Sequence, residues 1–178
     1  MAAPARYSAP AIALHWVGAL LVFCGFGLGL FMTGLPLSPA KLRYYGWHKW
    51  IGITVFVVTA ARLAWRAGVR PPPWPATMPG WQRHAARLSH GLLYALMIAI
   101  PLSGWIYSSA AGVSVVYLDL VPLPNLVPKD RELARWLLVV HQALNFTLAA
   151  AVVVHIGAAL KHRWIDRDDV LARMLPGA

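Results

Sequence analysis

The stretch VHQALNFTLAAAVVVHIGAALKHRW, from Val140 to Trp164, decides how this chain reads. Its interior carries no charge from His141 to Leu160, and it is closed by Lys161, His162 and Arg163. An apolar run of about 20 residues crosses the roughly 30 Å of hydrocarbon in a bilayer, and a cationic border marks where it leaves. Within the run, His141 and His155 are 14 residues apart. At about 1.5 Å and about 100° per residue, that spacing puts them roughly 21 Å apart along the axis and about 40° from a common azimuth. The two imidazoles therefore look out from nearly one helix face at two membrane depths.

Three further stretches have the same character. Span one covers about residues 11 to 33, from Ala11 to Thr33, and closes at a loop holding Pro36 and Pro39, which do not continue a helix. Span two covers about 46 to 66 and ends in Arg62, Trp65 and Arg66. It is followed by Arg70 and by Pro71, Pro72, Pro73 and Pro75, a stiff connector. Span three covers about 87 to 109, with Pro101 and Gly104 inside it predicting a kink. Residues 111 to 130 carry Asp119, Pro122, Pro124 and Pro128 and read as an extramembrane loop with room for a short interfacial helix. Span four covers about 134 to 161.

Composition agrees. Of 178 residues, 59% are hydrophobic and 12% charged, far from the roughly 25% charged residues of a soluble domain. The fold class expected is all-α, an integral membrane four-helix bundle forming one domain over residues 1 to 178. The net charge of +10 does not imply nucleic acid, because the cations sit at the ends of apolar segments rather than in a basic run. Ten of them fall on the side of the termini and the second loop and six on the other side, so the positive-inside rule predicts both termini in the cytoplasm. Eight of the nine tryptophans, Trp16, Trp47, Trp50, Trp65, Trp81, Trp105, Trp136 and Trp164, fall mostly near span ends, as an interfacial belt does. The first span lacks a small-residue cleavage site leading into a polar mature region and reads as a retained helix.

Ionisable residues inside a membrane are costly and usually face a functional interior, so the histidines are the residues to follow. With the termini inside, His15 in span one and His155 in span four share the cytoplasmic half, while His48 in span two and His141 share the periplasmic half. Two facing pairs at two depths are what a planar haem needs to be clamped from both sides within a helical bundle. A single intramembrane histidine is as readily a packed polar residue, but four at matched depths are not. A tetrahedral zinc site wants its ligands at one depth, and neither H-E-x-x-H nor an intramembrane carboxylate is present. The one cysteine, Cys24, can form no internal disulfide, and no C-x-x-C-H occurs, so any haem is bound non-covalently.

The remaining candidates are weaker. Arg62, 14 residues after His48, lies near its face at the cytoplasmic end; it could neutralise a haem propionate or simply snorkel. His90 has no obvious partner and could meet a propionate, line a quinone pocket or replace a ligand of the cytoplasmic pair. His162, seven residues past His155, suits a proton or quinone contact or a plain interfacial role, and His84 lies at a border. Gly18, Gly52 and Gly157 stand close to ligand candidates and would let a porphyrin approach the backbone, although ordinary helix packing explains them equally.

Four stretches together carry a family resemblance: PAIALHWVGALLVF; YYGWHKWIGITVFVVTAARLAWR with its PPPWP connector; RLSHGLLYALMIAIPLSGW; and VHQALNFTLAAAVVVHIGAALKHRW leading into DDVLARMLPG. In them the chain resembles the bacterial cytochrome b561 family over nearly its whole length. The His141/His155 spacing is also similar to that of the dihaem membrane subunits of formate dehydrogenases and nickel-iron hydrogenases. The resemblance implies a dihaem b-type cytochrome of the bacterial cytoplasmic membrane with axial ligands His15, His48, His141 and His155. It also implies electron exchange with a quinone such as ubiquinone and, in some members, oxidation of superoxide at the periplasmic face, a superoxide:quinone oxidoreductase activity. The expected partners are the lipid bilayer, a quinone and an electron donor of unspecified identity, with a second copy of the chain as a candidate and nucleic acid excluded. Rival expectations are a haem-bearing anchor subunit of a dehydrogenase or hydrogenase, a His-lined metal transporter and a purely structural membrane protein.

Overall fold

The computed structural model describes residues 6–177. Its frame is four long apolar helices: α1 (Ala9–Thr33), α2 (Pro39–Gly68), α3 (Gly80–Ala110) and α4 (Arg131–Lys161). The shortest, with 25 residues, reaches roughly 38 Å at about 1.5 Å per residue, enough to cross the hydrocarbon with a tilt. The chain is an all-α four-helix membrane bundle, as composition and periodicity predict. Large apolar side chains point outward along it, Val153 at 70% exposure among them, because the solvent they meet is lipid rather than water.

The ends of the helices differ from the sequence expectation in two places. Pro39 does not belong to the loop after span one; it opens α2. Ser38 caps that helix by accepting from the Lys41 amide at 3.2 Å, and a proline in the first turn loses no hydrogen bond because its N–H would be unpaired there anyway. Residues 111 to 130 hold no interfacial helix but a two-stranded antiparallel hairpin, β1 (Val116–Tyr117) and β2 (Val121–Pro122). Leu118 and Asp119 both take positive φ, 54° and 57°, and the Leu120 amide donates to Tyr117, which is the type I′ geometry that matches strand twist. A leucine pays steric strain in that conformation. The hairpin is fastened to α2 by Trp50 Nε1 donating to the Val116 carbonyl at 2.8 Å and by the Tyr117 hydroxyl against Thr54 Oγ1 at 3.0 Å.

Pro101 lies within α3, which runs on to Ala110. Helix α4 is capped by Asp130, whose carboxylate accepts from the amides of Glu132 and Leu133. At the other end it runs into a π-turn, His162–Asp166, closed by Arg167 at φ 54°. The tail then folds across the bundle end. The Tyr7 amide donates to the Arg173 carbonyl, and Trp16 Nε1 donates to the Met174 carbonyl at 2.8 Å. Arg173 pairs with Asp169 at 2.9 Å and donates to the Pro73 carbonyl, so one guanidinium ties the tail to the proline connector. Arg173→Ala is expected to lower stability by about 1–2 kcal/mol and to expose the tail to protease. Thermal melting and limited proteolysis in detergent check this, and an unchanged digestion pattern counts against the tie.

Helix α1 packs on α2, α2 on α3 and α3 on α4. Among the described residues, α1 and α4 barely approach each other, and neither do α2 and α4. A slot therefore runs along α4, crossed by side chains rather than closed by backbone packing.

Candidate functional site

The imidazoles meet in that slot. His15 from α1 and His155 from α4 have ring centroids 6.3 Å apart at 61°; His48 from α2 and His141 from α4 are 6.2 Å apart at 85°. The first pair lies toward the end that carries the termini and the second toward the hairpin end. Between them in depth, Phe26 of α1 and Phe146 of α4 meet edge to face at 6.0 Å.

Metal–imidazole bonds are about 2 Å and an imidazole is roughly 2 Å across, so two rings on opposite sides of one metal ion have centroids roughly 6 Å apart. Both pairs meet that separation. The donors are nitrogens only, with no intramembrane carboxylate. These residues fit a bis-imidazole haem at each level.

The hairpin-end pair is shaped from behind. The Ser103 hydroxyl donates to the Ile100 carbonyl at 2.8 Å, which uses its only proton. Its oxygen, 2.9 Å from His141 Nδ1, therefore accepts, which puts the ring proton on Nδ1 and leaves the Nε2 lone pair free for a metal. Ser103 is buried, so little water competes for this bond. Next to it, Gly104 supports the same ring: a Cβ there would stand 3.0 Å from His141 Cε1. Gly29 does the same for His48, with 3.2 Å to Cε1. Among the described residues His48 Nδ1 is buried without a hydrogen-bond partner, a sign that this ring is held for something other than internal bonding.

Sequence reading missed these supports. It gave Gly104 to a kink and looked for porphyrin clearance at Gly18, Gly52 and Gly157. Gly18 instead packs ordinarily against Met97 and Val58, and positions 52 and 157 face open space among the described residues. A signal existed, since Pro101, Ser103 and Gly104 crowd into four residues of an otherwise apolar span.

His90 is the larger surprise. Without an assigned partner in the sequence, it comes to 5.4 Å from His155, so the terminal-end level holds three imidazoles rather than two. Arg62 lies within electrostatic reach of all three and stacks its guanidinium 5.3 Å from the Tyr94 ring. It lines a recess with Tyr7, Ser8, Trp65 and Arg66. His162 does not join the imidazole cluster. In the π-turn its Nδ1 donates to Asp168 at 2.7 Å, with Asp166 at 3.3 Å, which leaves Nε2 as the free ring nitrogen. His84 is exposed at the start of α3.

Four apolar helices with facing imidazoles define a polytopic membrane protein bearing the donor set of a b-type cytochrome. The sequence pattern of prokaryotic cytochrome b561 matches residues 6–177, and the chain belongs to that family of membrane electron-transfer haem proteins. It is 35% identical over 183 aligned positions to cytochrome b561 homolog 2 of Escherichia coli (strain K12), covering 97% of this chain and 92% of the relative. Cytochrome b561 homolog 1 of the same organism is 32% identical, with 96% and 97% covered. A Yersinia pestis protein named probable superoxide oxidase CybB is 27% identical, with 96% of each chain covered.

Proposed function

We propose that the chain is a dihaem electron carrier of the bacterial inner membrane, with His15 and His155 as axial ligands at the terminal end and His48 and His141 at the hairpin end. The observation that carries this reading is the near-identical separation of the two pairs, 6.3 and 6.2 Å, across one slot. Haem supplies one-electron redox chemistry when bound. The histidines would orient it, and Arg62, within reach of His15, His90 and His155, would offer a cation to a propionate. The terminal end faces the cytoplasm by its excess of Lys and Arg.

His162, with its Nε2 free and its Nδ1 held by Asp168, suits a quinone oxygen at that end, and ubiquinone is the acceptor proposed. Superoxide, the substrate class in the name of the Yersinia relative, is the donor proposed at the hairpin end, where Lys49 beside His48 offers a cation to an anion.

The test is a haem assay with reduced-minus-oxidised spectra on purified protein. Two low-spin b haems per chain are expected, with one lost in His48→Ala. A haem-free protein from haem-replete cells overturns the reading and brings forward metal transport. Because protein fills both axial positions, the intact protein is expected to bind almost no carbon monoxide, whereas a large Soret shift under that gas contradicts bis-imidazole ligation.

Ser103→Ala removes the acceptor from His141 Nδ1 and makes the ring a poorer electron donor. The midpoint potential of the hairpin-end haem is expected to rise by on the order of 30 mV, since 59 mV corresponds to about 1.4 kcal/mol for one electron. Redox titration resolves the two haems, and a shift confined to the other one counts against this assignment.

A further inference from the structure

The two levels of the slot are not equivalent. The hairpin-end level has one imidazole on each side, His48 and His141, with each ring backed by a glycine. The terminal-end level has His155 flanked by two rings on two different helices, His15 of α1 at 6.3 Å and His90 of α3 at 5.4 Å. A bis-imidazole site needs centroids roughly 6 Å apart. The His90–His155 pair is short of that by less than an ångström, a displacement that a side-chain torsion and a small helix shift can supply. An ionisable ring at this depth with a second imidazole at its edge is the chemistry of a metal donor.

We infer that His90 is a second, exchangeable axial donor at the terminal-end haem, able to take the position of His15 opposite His155. The inference rests on the dihaem reading above and assigns a role to a histidine which that reading does not use. His155 is then the fixed ligand of this level, and His15 and His90 are alternatives. Ligation through His90 would bring the donor from α3 rather than α1, at an interplanar angle to His155 of 66° against 61° for His15. The hairpin-end level has no such spare.

The experiment compares haem content, low-spin EPR g-values and midpoint potentials of the full-length protein with those of His15→Ala, His90→Ala, the double variant and His48→Ala. Expected for His15→Ala are two haems per chain, both six-coordinate and low-spin, with a shifted potential for one of them. His90→Ala keeps both haems and native g-values. The double variant loses the haem or its low-spin signal at that level alone. A loss in His15→Ala equal to that in His48→Ala overturns the inference while leaving the dihaem reading intact. Low-spin ligation surviving in the double variant also overturns it, because the replacement donor is then another group. Wild-type protein without two haems, or an unaffected His48→Ala, defeats the dihaem reading itself. Should His15→Ala misfold, His15→Leu, which keeps bulk and offers no donor, is read by the same spectra: a low-spin haem retained at this level supports His90, and its loss overturns the inference.

Discussion

Replacing His155 with alanine is expected to halve the haem content of the purified protein, from two per chain to one, and the remaining haem should keep the spectrum and potential of the hairpin-end site. His155 is the one ring common to both close pairs at its level, 6.3 Å from His15 and 5.4 Å from His90. Removing it takes away the ring that both pairs share and leaves no donor on α4 opposite His15 or His90. The apoprotein level should also loosen, because bound ligand stabilises the folded state by mass action and that contribution disappears. Haem quantitation alongside detergent thermal melting measures both effects. Two haems per chain in His155→Ala would remove His155 from the ligand set.

The second large effect is expected at Gly104, where enlarging the residue to leucine should expel the hairpin-end haem without touching any ligand. A Cβ at this position already stands 3.0 Å from His141 Cε1 and 3.4 Å from Nδ1. Three further carbons must displace the imidazole, and overpacking of this kind costs about 1–3 kcal/mol in addition to the lost ligation. The displaced ring also leaves Ser103 Oγ, and with it the bond that holds its tautomer. Gly104→Ala is the graded control, with the haem retained and its g-values altered. If Gly104→Leu keeps two native haems, the ring is not seated as described.

Much of the frame was legible in the sequence because membrane solvent imposes a one-dimensional rule. Four apolar runs had to be helices, since lipid offers no partner for free backbone groups. The depth of each histidine followed from its position in its run at a fixed rise per residue. His15 with His155, and His48 with His141, could be matched by counting alone. The ends were less legible. Pro39 reads as a breaker until Ser38 is seen to cap the helix it opens, and the hairpin at Val116–Pro122 carries leucine where its turn favours glycine or asparagine.

Azimuth is what counting along a chain cannot supply, because it depends on how one helix is rotated against its neighbours. His90 lies at a depth that matches His155, yet only the packing of α3 on α4 turns the two rings together at 5.4 Å. The same packing slides Ser103 and Gly104 behind His141, converting what reads as a kink into a seat for the ring. The sequence by itself determined the helices, the membrane and the two levels of imidazoles, through rise per residue and the cost of bare backbone in lipid. Only the tertiary structure decided which third ring joins a level and which small residues support the donors, because those follow from contacts between helices that share no sequence neighbourhood.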